Sequence, residues 1–131
     1  MNIENLIPKD KFDTKSIEQL KTFSIEQIRP IVPKLLIWTQ DGNWPNSGLI
    51  MDYFRPHINE IDEDIIKILN GNDVTWKYWI LLGLINDSVI TPNDKILSTL
   101  KQLVNNPTEE DKDEELDILS KEILVKFHKN W

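Results

Sequence analysis

The sequence predicts an all-α fold: a compact stack of seven to eight short helices forming a single domain over residues 1–131. Three observations carry this. Isoleucine and leucine recur at the three- and four-residue intervals that line one face of a helix. Residues that start and stop helices flank those runs. The chain holds only four glycines, too few for a turn-rich sandwich or barrel.

Residues 1–13 contain Ile7-Pro8-Lys9-Asp10 and are expected as an extended N-terminal arm rather than a helix. Thr14 is placed to cap a short helix striped by Ile17, Leu20 and Phe23. Ser24 and Gln27 fit a capping box, in which each side chain satisfies the other residue's backbone amide. Pro30 and Pro33 suit the first turns of helices, so 24–29 is expected as one short helix and 31–39 as another. Ile28, Val32, Leu35 and Leu36 give the second a buried face. Asp41-Gly42-Asn43-Trp44-Pro45-Asn46 is a strong break made almost entirely of turn residues. Ser47 is expected to cap a helix carrying Ile50, Met51, Phe54 and Ile58, kinked or ended by Pro56. Asp62 is expected to cap the next, which bears Ile65, Ile68 and Leu69 and stops at Asn70-Gly71.

The helix that starts at Asn72 or Asp73 differs from the others. Trp76, Trp79, Ile80, Gly83 and Leu84 share one face, and Tyr78, Leu81, Leu82 and Ile85 cover much of the rest. A helix apolar nearly all round is buried between neighbours, which makes this one the centre of the fold. Thr91-Pro92-Asn93-Asp94 reads as a helix start with Pro92 at the first helical position. Ile96, Leu97, Leu100, Leu103 and Val104 form its stripe, and Asn105-Asn106-Pro107 ends it. Thr108 caps an acidic C-terminal helix over 108–129, with core stripe Leu116, Leu119, Ile123 and Phe127. Its acidic start and its Lys126 and Lys129 finish both complement the helix dipole. Successive helix pairs with short connectors imply a HEAT-like α-α superhelix.

Composition narrows the functions. A net charge of −7 with a pI near 4.8 argues against nucleic acid, whose phosphates require clustered Lys and Arg. The absence of cysteine removes disulfides, thiolate zinc sites and cysteine nucleophiles. The first ten residues hold no apolar signal-peptide region. The longest apolar run, around Gly83, is far short of the ~20 residues that span a bilayer. A cytoplasmic location with no membrane partner is the expectation. No HExxH, GxSxG, P-loop or GxGxxG pattern occurs, so no catalytic, cofactor or metal residue is expected. His57 and His128 stand alone, and Asp62-Glu63-Asp64 reads as an acidic first helical turn rather than a calcium loop.

Three segments carry a resemblance. The run Leu35-Leu36-Ile37-Trp38-Thr39-Gln40-Asp41-Gly42-Asn43-Trp44-Pro45 resembles the central signature of a bacterial family catalogued as domain of unknown function 5071. Leu6-Ile7-Pro8-Lys9-Asp10-Lys11-Phe12-Asp13 is similar to its opening motif, and Trp76-Lys77-Tyr78-Trp79-Ile80-Leu81 to its second aromatic helix. The resemblance runs to about Pro92 and implies a small helical, HEAT-like domain. It implies no enzymatic activity, cofactor or catalytic residue.

Two features invite a functional reading beside a structural one. In the break, Trp44 flanked by Asp41, Asn43 and Asn46 reads either as an aromatic platform for a ligand or peptide, or as a folded-back core residue beside helix caps. Lys77 and Asp73 sit on the polar side of the aromatic helix, either lining a groove with that loop or simply solvated. Glu109, Glu110, Asp113 and Glu114 read as a docking surface for a basic protein partner such as a nuclease toxin, or as a solvated helix start. The leading expectation is a non-enzymatic protein–protein interaction domain, with the toxin-neutralising immunity type as one form of it. The alternative is a small-ligand binder or enzyme that uses the Asp41–Asn46 loop.

Overall fold

A computed structural model describes residues 2–127 of the chain. Among them every regular element is helical. Eight helices follow a short 3-10 turn at Ile3–Leu6: α1 (15–22), α2 (25–39), α3 (47–57), α4 (Asp62–Leu69), α5 (74–86), α6 (Asp94–Asn105), α7 (Glu109–Asp113) and α8 (Leu116–Phe127). The all-α expectation and the seven-to-eight count both hold.

Local chemistry explains most boundaries. The Ser24–Gln27 capping box forms in both directions at the start of α2. Pro30 and Pro33 fall at the first positions of successive segments of α2, and the helix alternates between 3-10 and α turns around them. Each proline lacks the amide that a continuous α-helix would donate, so the backbone tightens instead. Helix α3 likewise leaves α geometry after Phe54 and closes with a 3-10 turn containing Pro56. Asp73 caps α5 by accepting from the Trp76 amide at 3.0 Å.

Several starts are displaced from their expected residues. Thr14 holds the N-cap position of α1 but makes no side-chain cap; Asp13 supplies it, accepting from the Ser16 amide at 3.3 Å and the Ser16 hydroxyl at 2.9 Å. Ser47 and Asp62 are the first helical residues of α3 and α4 rather than their caps. Pro92 precedes α6, whose cap is Asn93 accepting from the Ile96 amide at 3.0 Å. Residues 1–13 are not wholly extended, because Asn2 caps the Ile3–Leu6 turn and Leu6 is fully buried against the core.

The span 108–129 is two helices in its described part, not one. Thr108 does cap it, in a second capping box with Asp111. The chain then breaks before Leu116, with Glu115 at φ 57°. Asp111 and Leu116 are both buried. On one unbroken helix, residues five apart would point about 140° away from each other. The left-handed turn at Glu115 lets both face inward. His128 and Lys129 lie outside the described residues.

Helix α5 is the centre of the molecule, in contact with α3, α4 and α8. Ile80, Leu81, Gly83, Leu84 and Ile85 on it are all buried. Its second half widens into π geometry over Ile80–Asn86, which loosens the regular ladder and leaves carbonyls for other donors. The Arg55 Nε donates to Gly83 O at 2.7 Å, and Lys126 Nζ donates to Asn86 O at 2.5 Å. Gly83 packs directly under Met51, whose Sδ a Cβ there would have to displace. Helix α6 packs along α8 on one side and α4 on the other.

Candidate functional site

The Asp41–Asn46 segment is a self-contained turn. Asp41 accepts from the Asn43 amide at 2.8 Å, an Asx-type contact that fixes the bend. Trp44 is half-buried with its ring edge-on to Trp38, 5.7 Å between centroids. Gly42 lies so close to the Trp79 ring that a Cβ would overlap it. Asn46 is fully buried and reaches back to the N-terminal arm: its Nδ2 donates to Asp10 O at 3.0 Å and its amide to Lys11 O at 3.2 Å. Asn46 is therefore a strut inside the fold rather than a surface contact. Asn43 alone of the four is exposed.

Lys77 is also displaced from its expected place. Instead of a solvated polar face it occupies the interior, 4% exposed, with Nζ 2.9 Å from Asp111 Oδ1. The Asp111 carboxylate takes a second hydrogen bond, from the Thr108 amide at 3.0 Å. Burial pushes the Asp111 carboxyl upward, but the Thr108 amide and the Lys77 ammonium outweigh it and hold the group below its ordinary value. The acidic run is thereby divided. Asp111 is an internal clamp between α5 and α7, whereas Glu109, Glu110, Asp113 and Glu114 remain exposed.

The most apolar of the described concavities holds, of the residues singled out in the sequence for a functional reading, only Asp73. A cleft of about 380 Å³ opens between α2, α4 and the start of α5. Helix α2 contributes Pro33, Leu36 and Ile37, and α4 contributes Asp64, Lys67 and Ile68. Each set is spaced i, i+3, i+4, so each helix turns one face into the cleft. Trp76 forms part of the lining, held by a hydrogen bond from its Nε1 to Thr39 Oγ1 at 2.9 Å. Thr39 in turn donates to Leu36 O at 2.6 Å. Gly71, Asn72 and Asp73 complete the lining. Asp73 thus does line a groove, but with α2 and α4 rather than with the Trp44 turn.

Ile37 is 44% exposed although it is a large apolar residue, and the cleft is where its side chain stands. Asp64 sits at the cleft's polar edge and borders a second depression lined by Arg29, Pro30, Pro33 and Glu60–Asp64. Burial raises the Asp64 carboxyl above its ordinary value, against the opposing pull of Arg29. A smaller polar hollow lies across the Gly71–Asn72 turn, lined in part by Lys77 and Asp111.

The family model described as Domain of unknown function (DUF5071) matches residues 6–124. The chain belongs to this family. No curated protein matches it in sequence. In this DUF5071 domain the matched span takes in the whole cleft, both sides of the Lys77–Asp111 pair and the Trp44 turn. No described group of three His, Asp or Glu side chains is arranged to hold a metal ion. No described helix is long and apolar enough to cross a membrane.

The cleft was hard to find in sequence for a physical reason. Leu36, Ile37, Ile68 and Trp76 obey the same helical spacing as core residues. Ile65, one turn before Ile68, and Leu69 beside it are indeed buried. Whether an apolar face is covered depends on how far apart the neighbouring helices stand, which no local pattern records.

Proposed function

We propose that this chain is a non-enzymatic protein-interaction domain, and that the cleft between α2 and α4 is where it takes hold of its partner. The observation that carries the reading is the character of that cleft. It is open along its length, lined mainly by Pro33, Leu36, Ile37, Ile68 and Trp76, and carries its charged groups at Asp64, Lys67 and Asp73. Apolar lining with a few polar groups suits the capture of a side chain from another protein. Acid–base or nucleophilic chemistry needs paired groups within hydrogen-bond reach of one reacting atom. Asp64 and Asp73 belong to different elements here, and Asp73 is engaged as the cap of α5.

The small-ligand reading of the Asp41–Asn46 turn is less well supported. Trp44 packs on Trp38, and Asn46 spends its amide groups on the N-terminal arm. Exposed Glu109, Glu110, Asp113 and Glu114 fit a basic partner, with neutralisation of a basic toxin as one form of the proposal. Such surface charge would speed association and weaken with salt.

Affinity capture from the native host, with the wild-type chain and with Ile37→Asp side by side, tests the proposal. Ile37 is 44% exposed and lies outside the fully buried core, and a urea titration of Ile37→Asp checks that the chain still folds. At least one protein should bind the wild type, be lost with Ile37→Asp, and form a defined complex when both components are purified. Identical captures for the two chains would refute the cleft as the interaction site.

A further inference from the structure

The chemistry of the partner can be read from what surrounds the cleft. The apolar lining stands open between two helices, and Ile37, although large and apolar, is 44% exposed there. Asp64 adjoins it, shared between the apolar cleft and the neighbouring polar depression. Together the two depressions are bordered by five carboxylates, Glu60, Asp62, Glu63, Asp64 and Asp73, against two cations, Arg29 and Lys67.

Most of these groups are already occupied. Arg29 pairs with Glu26 at 2.7 Å and donates to Glu60 O at 3.0 Å. The Glu60 carboxylate meets His57 Nδ1 at 2.6 Å. Asp62 accepts from the Asn93 side chain and the Glu63 amide, both at 2.8 Å. Asp73 caps α5. Glu63, which is exposed, and Asp64 are the two whose carboxylates have neither a hydrogen bond nor a cation within 4.0 Å among the described residues. Arg29 and Lys67 act on Asp64 only from farther off. Asp64 is half-buried beside an apolar wall, and burial disfavours its charge. A cation brought in from outside would relieve that.

We propose that the cleft receives a segment of a partner protein in which an aliphatic or aromatic side chain, seated among Leu36, Ile37, Ile68 and Trp76, neighbours a lysine or arginine that pairs with Asp64. This rests on the interaction reading above and adds the identity of the occupant. The apolar anchor supplies the burial and the cation supplies the register. A segment with acid beside its anchor would be rejected, because it would bring like charge against Asp64 and Glu63.

Selection of a displayed random-peptide library on the full chain tests this, followed by titration of the selected synthetic peptides. Peptides that bind the wild type and not Ile37→Asp should share an apolar residue beside Lys or Arg. Replacing that cation by glutamine should weaken binding about tenfold to the wild type and hardly at all to Asp64→Asn. Asp64→Asn should fold at least as well as the wild type, since it removes a charge that burial disfavours. A consensus without Lys or Arg, or equal losses on both chains, would overturn the assignment of the occupant and leave the interaction reading standing. Peptides that bind Ile37→Asp as well as they bind the wild type would overturn both. A concentration-dependent dimer abolished by Ile37→Asp would make the occupant a second copy of this chain and also overturn the proposal.

Discussion

Replacing Lys77 by methionine should unfold the protein at markedly lower denaturant, more than any single surface charge could. Both side chains of the Lys77–Asp111 pair are nearly sealed, at 4% and 3% exposure, with the ammonium 2.9 Å from the carboxylate. Removing one member of a buried pair leaves the other desolvated without its counter-charge, at a cost of about 3–5 kcal/mol. The two members are not equivalent. With Lys77→Met, Asp111 keeps the Thr108 amide at 3.0 Å, so the loss should sit near the lower figure. With Asp111→Ala, Lys77 is stranded and the capping box of α7 is lost as well, which adds about 1 kcal/mol. Against a typical domain stability of about 5–15 kcal/mol, either change is large. The melting temperature should fall by roughly 10–20 °C.

The double variant Lys77→Met with Asp111→Ala leaves no stranded charge and should lose much less than the sum of the two single losses. Urea titration of the wild type, both single variants and the double variant measures that coupling directly. Losses below about 1 kcal/mol for each single variant, or additivity in the double, would refute a buried, mutually dependent pair.

Three other outcomes follow from the same reasoning. Glu115→Gly should stabilise the protein by about 1 kcal/mol in a urea titration, because φ 57° strains every residue with a Cβ; a destabilisation would contradict the left-handed turn between α7 and α8. Gly83→Ala should destabilise by about 1–3 kcal/mol, since the new Cβ would overlap Met51 Sδ, and the same change should cost less in a Met51→Ala background. Stability should decline in acid. The Lys9 amide first, and then the Ser16 contacts, hold the Asp13 carboxyl below 3.8, and Asp111 is also held below 3.8. Groups with lowered folded values contribute stability above the unfolded value and lose it as pH falls through the folded one. Urea midpoints should therefore drop below about pH 4, and Asp111→Asn should flatten that drop.

The sequence alone determined the helical class, the capped starts at Ser24, Asp73 and Thr108, and the place of α5. These are local quantities: a capping box such as Ser24–Gln27 closes within four residues, and an apolar band such as Ile80–Ile85 excludes solvent whatever packs on it. Elsewhere the expected start is off by a residue or two: Pro92 is expected as the first helical residue but the helix begins at Asp94 behind an Asn93 cap, and Ser47 and Asp62 lie inside the helices they are expected to cap. Tertiary structure decided which polar residues point inward and which apolar ones stay open. Lys77 and Asp111 lie 34 residues apart, and nothing local distinguishes them from their solvated neighbours. Asn46 looked like a turn residue and became a strut because the chain from Asp10 to Lys11 returns beside it. Ile68 reads as part of a core stripe and instead lines a cleft with Ile37, because α2 and α4 do not close on each other there. Burial is set by the distance between elements, and the pattern within an element cannot encode that distance.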